Sequence, residues 1–330
     1  MHHFPNILLN SDEIISVMNQ FSSTGIPFLF IIDSSATKGY VFPDGKMDEN
    51  YIRFKIRNYA DNHRKTELKS VTFDITPVSV DSYSQKFNQV KNEIQRGNSF
   101  LVNLTQPTVL NTDLCLTDFY DKSEAPYKLW LKDQFVVFSP ETFVKISDGN
   151  ISTYPMKGTI DASIPDAANI ILNDIKEMAE HATIVDLLRN DLSMVAEDVK
   201  ITRYRYVEKI NTHAGKLLQV SSEICGKLPA DYLSMIGDIV FRMLPAGSVT
   251  GAPKPKTIEI IKKVEGYDRG FYTGVFGYFD GKNLDSAVMI RFVEQTDDGL
   301  IFKSGGGITY QSEMEKEYQE LIQKVYVPVY

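Results

Sequence analysis

The 330-residue chain is 43% hydrophobic and 24% charged, the balance of a soluble globular protein with a sizeable core. Its net charge of −8 at pH 7 speaks against nucleic acid as a partner, because phosphate binding needs a basic face. Cys115 and Cys225 lack Cys-x-x-Cys spacing, so neither a disulfide framework nor a zinc site is expected, and a reducing cytoplasm fits. The start, MHHFPNILLNSDEI, has no basic segment followed by an apolar one, so no signal peptide is expected. The longest apolar run, Phe28–Ile32, is too short to span a membrane.

In chain order, Ser11 can cap a helix running to Phe21, with Ile14, Ile15, Met18 and Phe21 on its buried side. Strand-like segments follow at 27–33, 39–42, 51–57 and 71–76. No catalytic cluster falls here. Residues 1–78 are expected to complete a sheet core and 79–330 to carry the chemistry, the whole forming one intertwined domain. In 80–96, Val80, Tyr83, Phe87, Val90 and Ile94 step by three and four, which predicts a helix, and Gly97 suits its left-handed C-terminal position. The stretch SFLVNLTQPTVL (99–110) alternates Phe100, Val102 and Leu104 with Asn103 and Thr105, a strand whose polar face is expected to meet solvent.

Strands at 135–138 and 142–146 meet at Ser139-Pro140-Glu141, where the proline bend orients Glu141. In ISTYPMKGT (151–159), Lys157 stands beside Gly158 in an otherwise uncharged stretch. A lone lysine is most often a surface charge, but partial desolvation would lower its pKa and make it a nucleophilic amine.

The segment 175–192 reads as an amphipathic helix buried through Ile175, Met178, Ala179, Ala182, Val185 and Leu188. Glu177, Glu180 and His181 lie on adjacent turns, close enough to converge. Strands at 200–207 and 216–225 and a helix at 231–243 come next. In LPAGSVTGAPKPK, Gly247 and Gly251 bracket Ser248 and Thr250, and Pro253 starts a helix carrying Ile258, Ile261 and Val264. A small-residue loop before a helix can cradle an anion, although the Walker ending is absent. Strands at 271–279 and 284–293 flank the hairpin signal Asp280-Gly281-Lys282-Asn283, with Arg291 on the second strand. In KSGGGIT, following a short strand, Gly305, Gly306 and Gly307 let backbone N–H groups approach a ligand. The C-terminal helix 315–325 repeats the carboxylate spacing with Glu317 and Glu320, and Lys324 is four further on. A Glu-x-x-Glu pair usually faces water. Two helices each bearing one can also face each other across a hard cation such as Mg²⁺. Hairpins with interspersed helices indicate an α+β fold with large antiparallel sheets and helices on the outside, rather than βαβ repeats or a di-iron four-helix bundle.

The ordered stretches GNSFLVNLTQ, SPETF, TYPMKGT, KEMAEH with VDLLRNDL, LPAGSVTGAPK, FYTGVFGYF, IRF and SGGGITYQSEMEKEYQE cover about 95–325. Together they resemble the chorismate-utilising enzymes, which include anthranilate, aminodeoxychorismate, isochorismate and salicylate synthases. The resemblance implies the anthranilate synthase component I-like fold, its large sheets packed together. The Lys-Gly-Thr ending at Lys157 and the VNLTQ stretch resemble the aminodeoxychorismate synthase component I branch, which leads to p-aminobenzoate and folate. On that resemblance Lys157 attacks C2 of chorismate, Glu141 protonates the departing C4 hydroxyl, and ammonia adds at C4 and expels the lysine. Glu180 and Glu320 would be direct Mg²⁺ ligands, and Glu177 and Glu317 water-mediated ones. Thr250 and the amides of Gly305, Gly306 and Gly307 would cradle a carboxylate, Arg291 and Lys324 would neutralise it, and Tyr278 would line the substrate. Gln219 stands where most of the family has a histidine associated with pyruvate elimination, which fits amination without elimination. The implied partner is a glutamine amidotransferase subunit supplying ammonia, because no glutaminase triad is visible. No LLES-like stretch is present, so tryptophan feedback is not expected. The alternatives are an anthranilate or isochorismate/salicylate synthase of the same family, or a non-catalytic chorismate- or metal-binding regulatory subunit.

Overall fold

A computed structural model describes residues 7–57, 73–212 and 215–326. They form two compact units, each made of three stretches of chain. The first comprises Met1–Lys46, Glu141–Ser248 and Val275–Ala287, the second Met47–Pro140, Val249–Gly274 and Val288–Tyr330. The division expected at 78/79 falls inside the second unit; the chain crosses between units near 46, 140, 248, 274 and 287 instead.

The described residues of the first unit build a 10-stranded sheet. Its path runs Leu9–Asn10, Lys38–Pro43, Phe28–Ile32, Val275–Phe279, Leu284–Val288, Thr142–Ser147, Asn150–Thr153, Gly215–Lys227 and Met156–Asp161, with Glu197–Thr212 also on Gly215–Lys227. All five residues of Phe28–Ile32 are at 0% exposure, which explains a continuous apolar run without alternation. The helix Ser11–Ser23 starts one residue earlier than expected in its cap. Asn10 accepts from the Glu13 N–H, and Glu13 accepts from the Asn10 N–H, a reciprocal capping box. The helix expected over 231–243 is a 3₁₀ turn, Tyr232–Ser234, followed by a short helix, Ile236–Arg242.

The described residues of the second unit build an 8-stranded sheet. Its path is Gly251–Ala252, Leu101–Thr112, Gly299–Thr309, Phe292–Thr296, Phe135–Ser139, Tyr127–Leu131 and Ile52–Ile56, with Phe73–Thr76 also on Leu101–Thr112. Of the strand expected at 71–76, residues 71 and 72 lie outside the described residues. The helix Val80–Gln95 ends as expected, with Gly97 at φ 78°. Its Tyr83, Phe87 and Val90 pack with Ile260 and Val264 of Lys254–Glu265 and with Leu321 of Met314–Gln323 in one apolar cluster.

Three expectations change here. Thr105 does not meet solvent but is fully buried, because this strand is covered on both faces. The triple glycine does not follow the strand but lies within it: Gly305, Gly306 and Gly307 pair with Thr105, Leu104 and Asn103. A Cβ on Gly305 would lie 2.5 Å from Thr105 Cγ2, so the neighbouring strand itself excludes a side chain there. Arg291 is on no strand. The apolar run 284–293 divides into Leu284–Val288 in one sheet and Phe292–Thr296 in the other, and Arg291 takes φ 55° in the break.

Candidate active site

The helix Ile175–Ser193 begins at Asp174, whose carboxylate accepts from the Glu177 N–H at 2.9 Å. Its burial contradicts the stripe expected from hydrophobicity. Ile175 is 76% and Met178 is 40% exposed, whereas His181 is buried and the apolar face begins only at Ile184. The inward positions of the first turns therefore hold Glu177, Glu180 and His181, and the apolar residues point outward. Such an inversion opposes the hydrophobic effect and marks a stretch shaped for something other than packing.

The strand Met156–Asp161 lies against these turns. Lys157 Nζ is 3.7 Å from Glu180 Oε2, with 27% of the lysine side chain and 14% of the glutamate exposed. Lys157 is thus a half-buried amine in a charged pair, not the isolated lysine expected from its uncharged neighbours. Between Lys157 and Thr159 the pairing with Gly215–Lys227 shifts, and Gly158 takes φ 71°. A Cβ on Gly158 would stand 3.0 Å from Glu177 Oε2. The bulge therefore turns the backbone beneath one carboxylate while aiming Lys157 at the other. Gln219 is opposite Thr159 on the partner strand and half-buried.

His181 does not converge with the glutamates. Its Nε2 is 2.7 Å from Ser222 Oγ, and that oxygen also accepts from the Arg205 N–H at 2.9 Å. Burial first, then the charges of Arg205 and Lys157, push the imidazole down to about 4, so it is neutral. Glu141, between Ser139 and Thr142, accepts a short hydrogen bond from the Ser248 hydroxyl, which orients one carboxylate oxygen. Tyr278, on Val275–Phe279, is buried and donates to Asp44. Burial first, then the Asp44 charge and hydrogen bond, push its phenol up to about 12. That contact is with neither Lys157 nor a glutamate of the helix.

In the second unit the helix Met314–Gln323 presents the other carboxylate pair. Glu317 is 5% exposed, and Glu320 Oε1 is 2.6 Å from Lys324 Nζ. Lys324 also donates to the Gly305 carbonyl at 2.9 Å. A Cβ on Gly306 would lie 3.5 Å from Glu317 Oε2, 3.8 Å from Lys324 Nζ and 3.9 Å from Glu320 Oε1. All three charged groups therefore converge on one bare stretch of strand. Burial first, then Glu317 and Glu320, raise the Tyr83 phenol well above its ordinary range.

Thr250 is buried, and its carbonyl accepts from the Asn103 N–H at 2.9 Å. The segment is clamped by residues the sequence did not single out. Arg269 donates to the Val249 carbonyl at 2.9 Å and the Asn103 carbonyl at 2.7 Å. It makes a two-pronged pair with Glu265 at 2.8 and 2.6 Å, and Glu265 in turn accepts from the Thr105 N–H and hydroxyl. The Glu–Arg spacing of four residues around Gly266 was the available signal. The Arg291 guanidinium lies 5.2 Å over the Tyr326 ring, and its buried Nε has no hydrogen-bond partner among the described residues.

Carboxylate oxygens suit a hard cation, and Mg²⁺ commonly takes one or two of them with water and substrate at its other positions. Among the described residues, no group of three or more His, Cys, Asp or Glu side chains could hold a metal ion. Each unit by itself offers one pair, Glu177 with Glu180 or Glu317 with Glu320, which fits such a sparse donor set.

Each unit thus sets a pair of glutamates beside a lysine amine on a large antiparallel sheet. Residues 29–329 match the family model for chorismate binding enzyme, and the chain belongs to that family. It is 51% identical over 317 residues to an uncharacterized PabA-like protein of Pasteurella multocida (strain Pm70), covering 96% of this chain and 98% of that one. It is 34% identical over 259 residues to aminodeoxychorismate synthase component 1 of Salmonella typhimurium (strain LT2), covering 74% of this chain but only 56% of that relative's length. Anthranilate synthase component I from Streptococcus pneumoniae TIGR4 superposes with a TM-score of 0.67 at 28% identity, over 76% of this chain and 58% of that one. No helix among the described residues is long and apolar enough to cross a membrane.

Proposed function

We propose that the chain is the chorismate-aminating component of an aminodeoxychorismate synthase, leading to p-aminobenzoate and folate in the cytoplasm. The observation that carries this reading is Lys157, an amine 3.7 Å from Glu180 at a glycine bulge. A binding subunit needs no such nucleophile, and the anthranilate-forming branch resembled in sequence usually has alanine at this position.

In the proposed reaction the free amine of Lys157 forms a bond to C2 of chorismate. The two ring double bonds shift toward C4, and the C4 oxygen leaves as water after taking a proton from Glu141. Ammonia then attacks C4, the double bonds shift back, and the C2–nitrogen bond to Lys157 breaks. Splitting one substitution into two allylic ones is what covalent catalysis contributes. Ser248 holds Glu141 for the proton transfer. Glu180 and Glu320 are the proposed direct ligands of Mg²⁺, with Glu177 and Glu317 reaching it through water. The cation, when bound, neutralises the ring carboxylate of chorismate. Thr250, the amides at Gly305, Gly306 and Gly307, Arg291 and Lys324 are the proposed anion contacts, with Tyr278 and Gln219 lining the substrate. Ammonia is proposed to come from a glutamine amidotransferase subunit.

The test is product analysis by mass spectrometry after incubation with chorismate, Mg²⁺ and ammonium. A product with hydroxyl replaced by amine and the enolpyruvyl group retained supports the reading. Anthranilate, isochorismate or salicylate would reassign the chain within its family. Tight chorismate binding without turnover, even with an amidotransferase present, would make it a regulatory subunit.

A further inference from the structure

We propose that His181 is a positioning residue: through Ser222 it holds the first turns of the helix Ile175–Ser193, and with them Glu177 and Glu180, in register with the strand that carries Lys157. The inference rests on the reading of those glutamates as cation ligands and deepens it. Three observations carry it. First, among the described side chains from 175 to 183, His181 alone is buried, so these turns have no apolar anchor. Second, Ser222 is a junction. Its hydroxyl meets His181 at 2.7 Å, and its backbone N–H donates at 2.9 Å to the carbonyl of Pro155, the residue just before Met156–Asp161. Helix and lysine strand are thus tied to one residue of Gly215–Lys227. Third, His181 Nδ1 is buried with no hydrogen-bond partner among the described residues. An orphaned buried nitrogen is unfavourable, and a leucine could occupy the place without that cost, so stability alone does not account for the imidazole. The rings of His181 and Tyr204 meet in a T-shaped contact with centroids 6.1 Å apart.

A polar anchor of this kind acts on metal affinity through the ligand's position, an effect typically about 10- to 100-fold. The test uses the full chain with three substitutions. His181→Leu keeps the volume and removes the bond, Ser222→Ala removes the partner, and His181→Gln retains an amide able to reach Ser222. Two quantities are read: amide hydrogen exchange across 175–183, and the Mg²⁺ concentration giving half-maximal turnover. His181→Leu and Ser222→Ala should speed exchange in that segment and raise the Mg²⁺ requirement about 10-fold or more, with kcat at saturating Mg²⁺ less affected. His181→Gln should restore both, and Ser222→Ala should add little to segment exchange once His181 is Leu. Should His181→Leu fail to fold, Ser222→Ala carries the same comparison. Unchanged segment exchange and Mg²⁺ requirement in a folded variant, with only a lower melting temperature, would overturn the proposal. If the wild type shows no Mg²⁺-dependent turnover, the functional reading fails instead, and the exchange pattern alone decides whether His181 holds the helix.

Discussion

The two units carry the same device, held in place by different means. Each has a helix with glutamates three residues apart, set against a strand glycine, with a lysine paired to the second glutamate. In the second unit the helix is moored by oil. Tyr318 and Leu321 flank the glutamates and pack into the cluster around Tyr83 and Phe87, and the lysine comes from the helix itself. In the first unit the carboxylate turns are moored by a histidine–serine contact, and the lysine comes from the strand. A lysine at i+4 from its glutamate is set by helix geometry and serves to balance charge. A lysine on a separate strand has a position independent of the helix, which is what a reacting group requires. The proposed function gives these two settings different roles, a reacting amine at Lys157 and charge neutralisation at Lys324.

The sharpest way to break that assignment is to exchange the roles. Lys157→Ala should abolish turnover with ammonium, measured by chorismate consumption and product mass, while the fold survives, because the side chain is half-buried and not part of an apolar cluster. Lys324→Ala should instead raise KM for chorismate with a smaller loss in kcat, as expected when a ground-state contact is removed. Equal losses of kcat in both variants would sink the distinction. Glu141→Gln comes next, with a fall in kcat of roughly 10²- to 10⁴-fold, the range for a lost general acid.

Anchoring separates the helices in stability. Leu321→Ala should lower unfolding free energy by about 2–5 kcal/mol, since it empties a packed site. It is measured by denaturant unfolding. Gly158→Ala should cost about 1–2 kcal/mol, because alanine resists φ 71° and its Cβ would crowd Glu177. Gly306→Ala meets only contacts of 3.5 Å or more, so its stability should hardly change while chorismate binding weakens. A large stability loss at Gly306 would mean that the bare strand is structural and not kept open for a ligand.

Much of the scaffold is readable from periodicity. The helix Val80–Gln95 with Gly97, the body of the helix Ser11–Ser23 and most strands follow from spacing alone, because the period of apolar residues within one element records its type. Three of the failures share one cause, which is that pairing across long sequence separations is invisible to a local pattern. Three glycines read as the stretch after a strand until Leu101–Thr112 is seen to pair with them. Arg291 looks like strand until its flanks prove to belong to different sheets. Thr105 looks solvated until Glu265, 160 residues away, accepts its hydroxyl. At the candidate site, residue types and spacing were legible, but the direction of Glu177, Glu180 and His181 was not. Counting apolar residues chose the wrong face of that helix.

That wrong face yields the smallest effect and the most discriminating one. If the first turns were an ordinary amphipathic helix, Ile175 and Met178 would be anchors, and Met178→Ala would cost the 2–5 kcal/mol of a buried methionine. With Ile175 76% and Met178 40% exposed, substitution at either should instead fall within about 0.5 kcal/mol in denaturant unfolding. The same Met178→Ala should leave the Mg²⁺ requirement untouched, since the side chain points away from Glu177 and Glu180. Ile184→Ala, one turn beyond His181 and at 2% exposure, should recover the full cost of a core truncation. A gradient from near zero at 178 to several kcal/mol at 184 would locate the point where packing takes over from the polar anchor. A flat profile would mean that the carboxylate turns are held by apolar contact, as in the second unit, and would remove the physical reason for a histidine at 181.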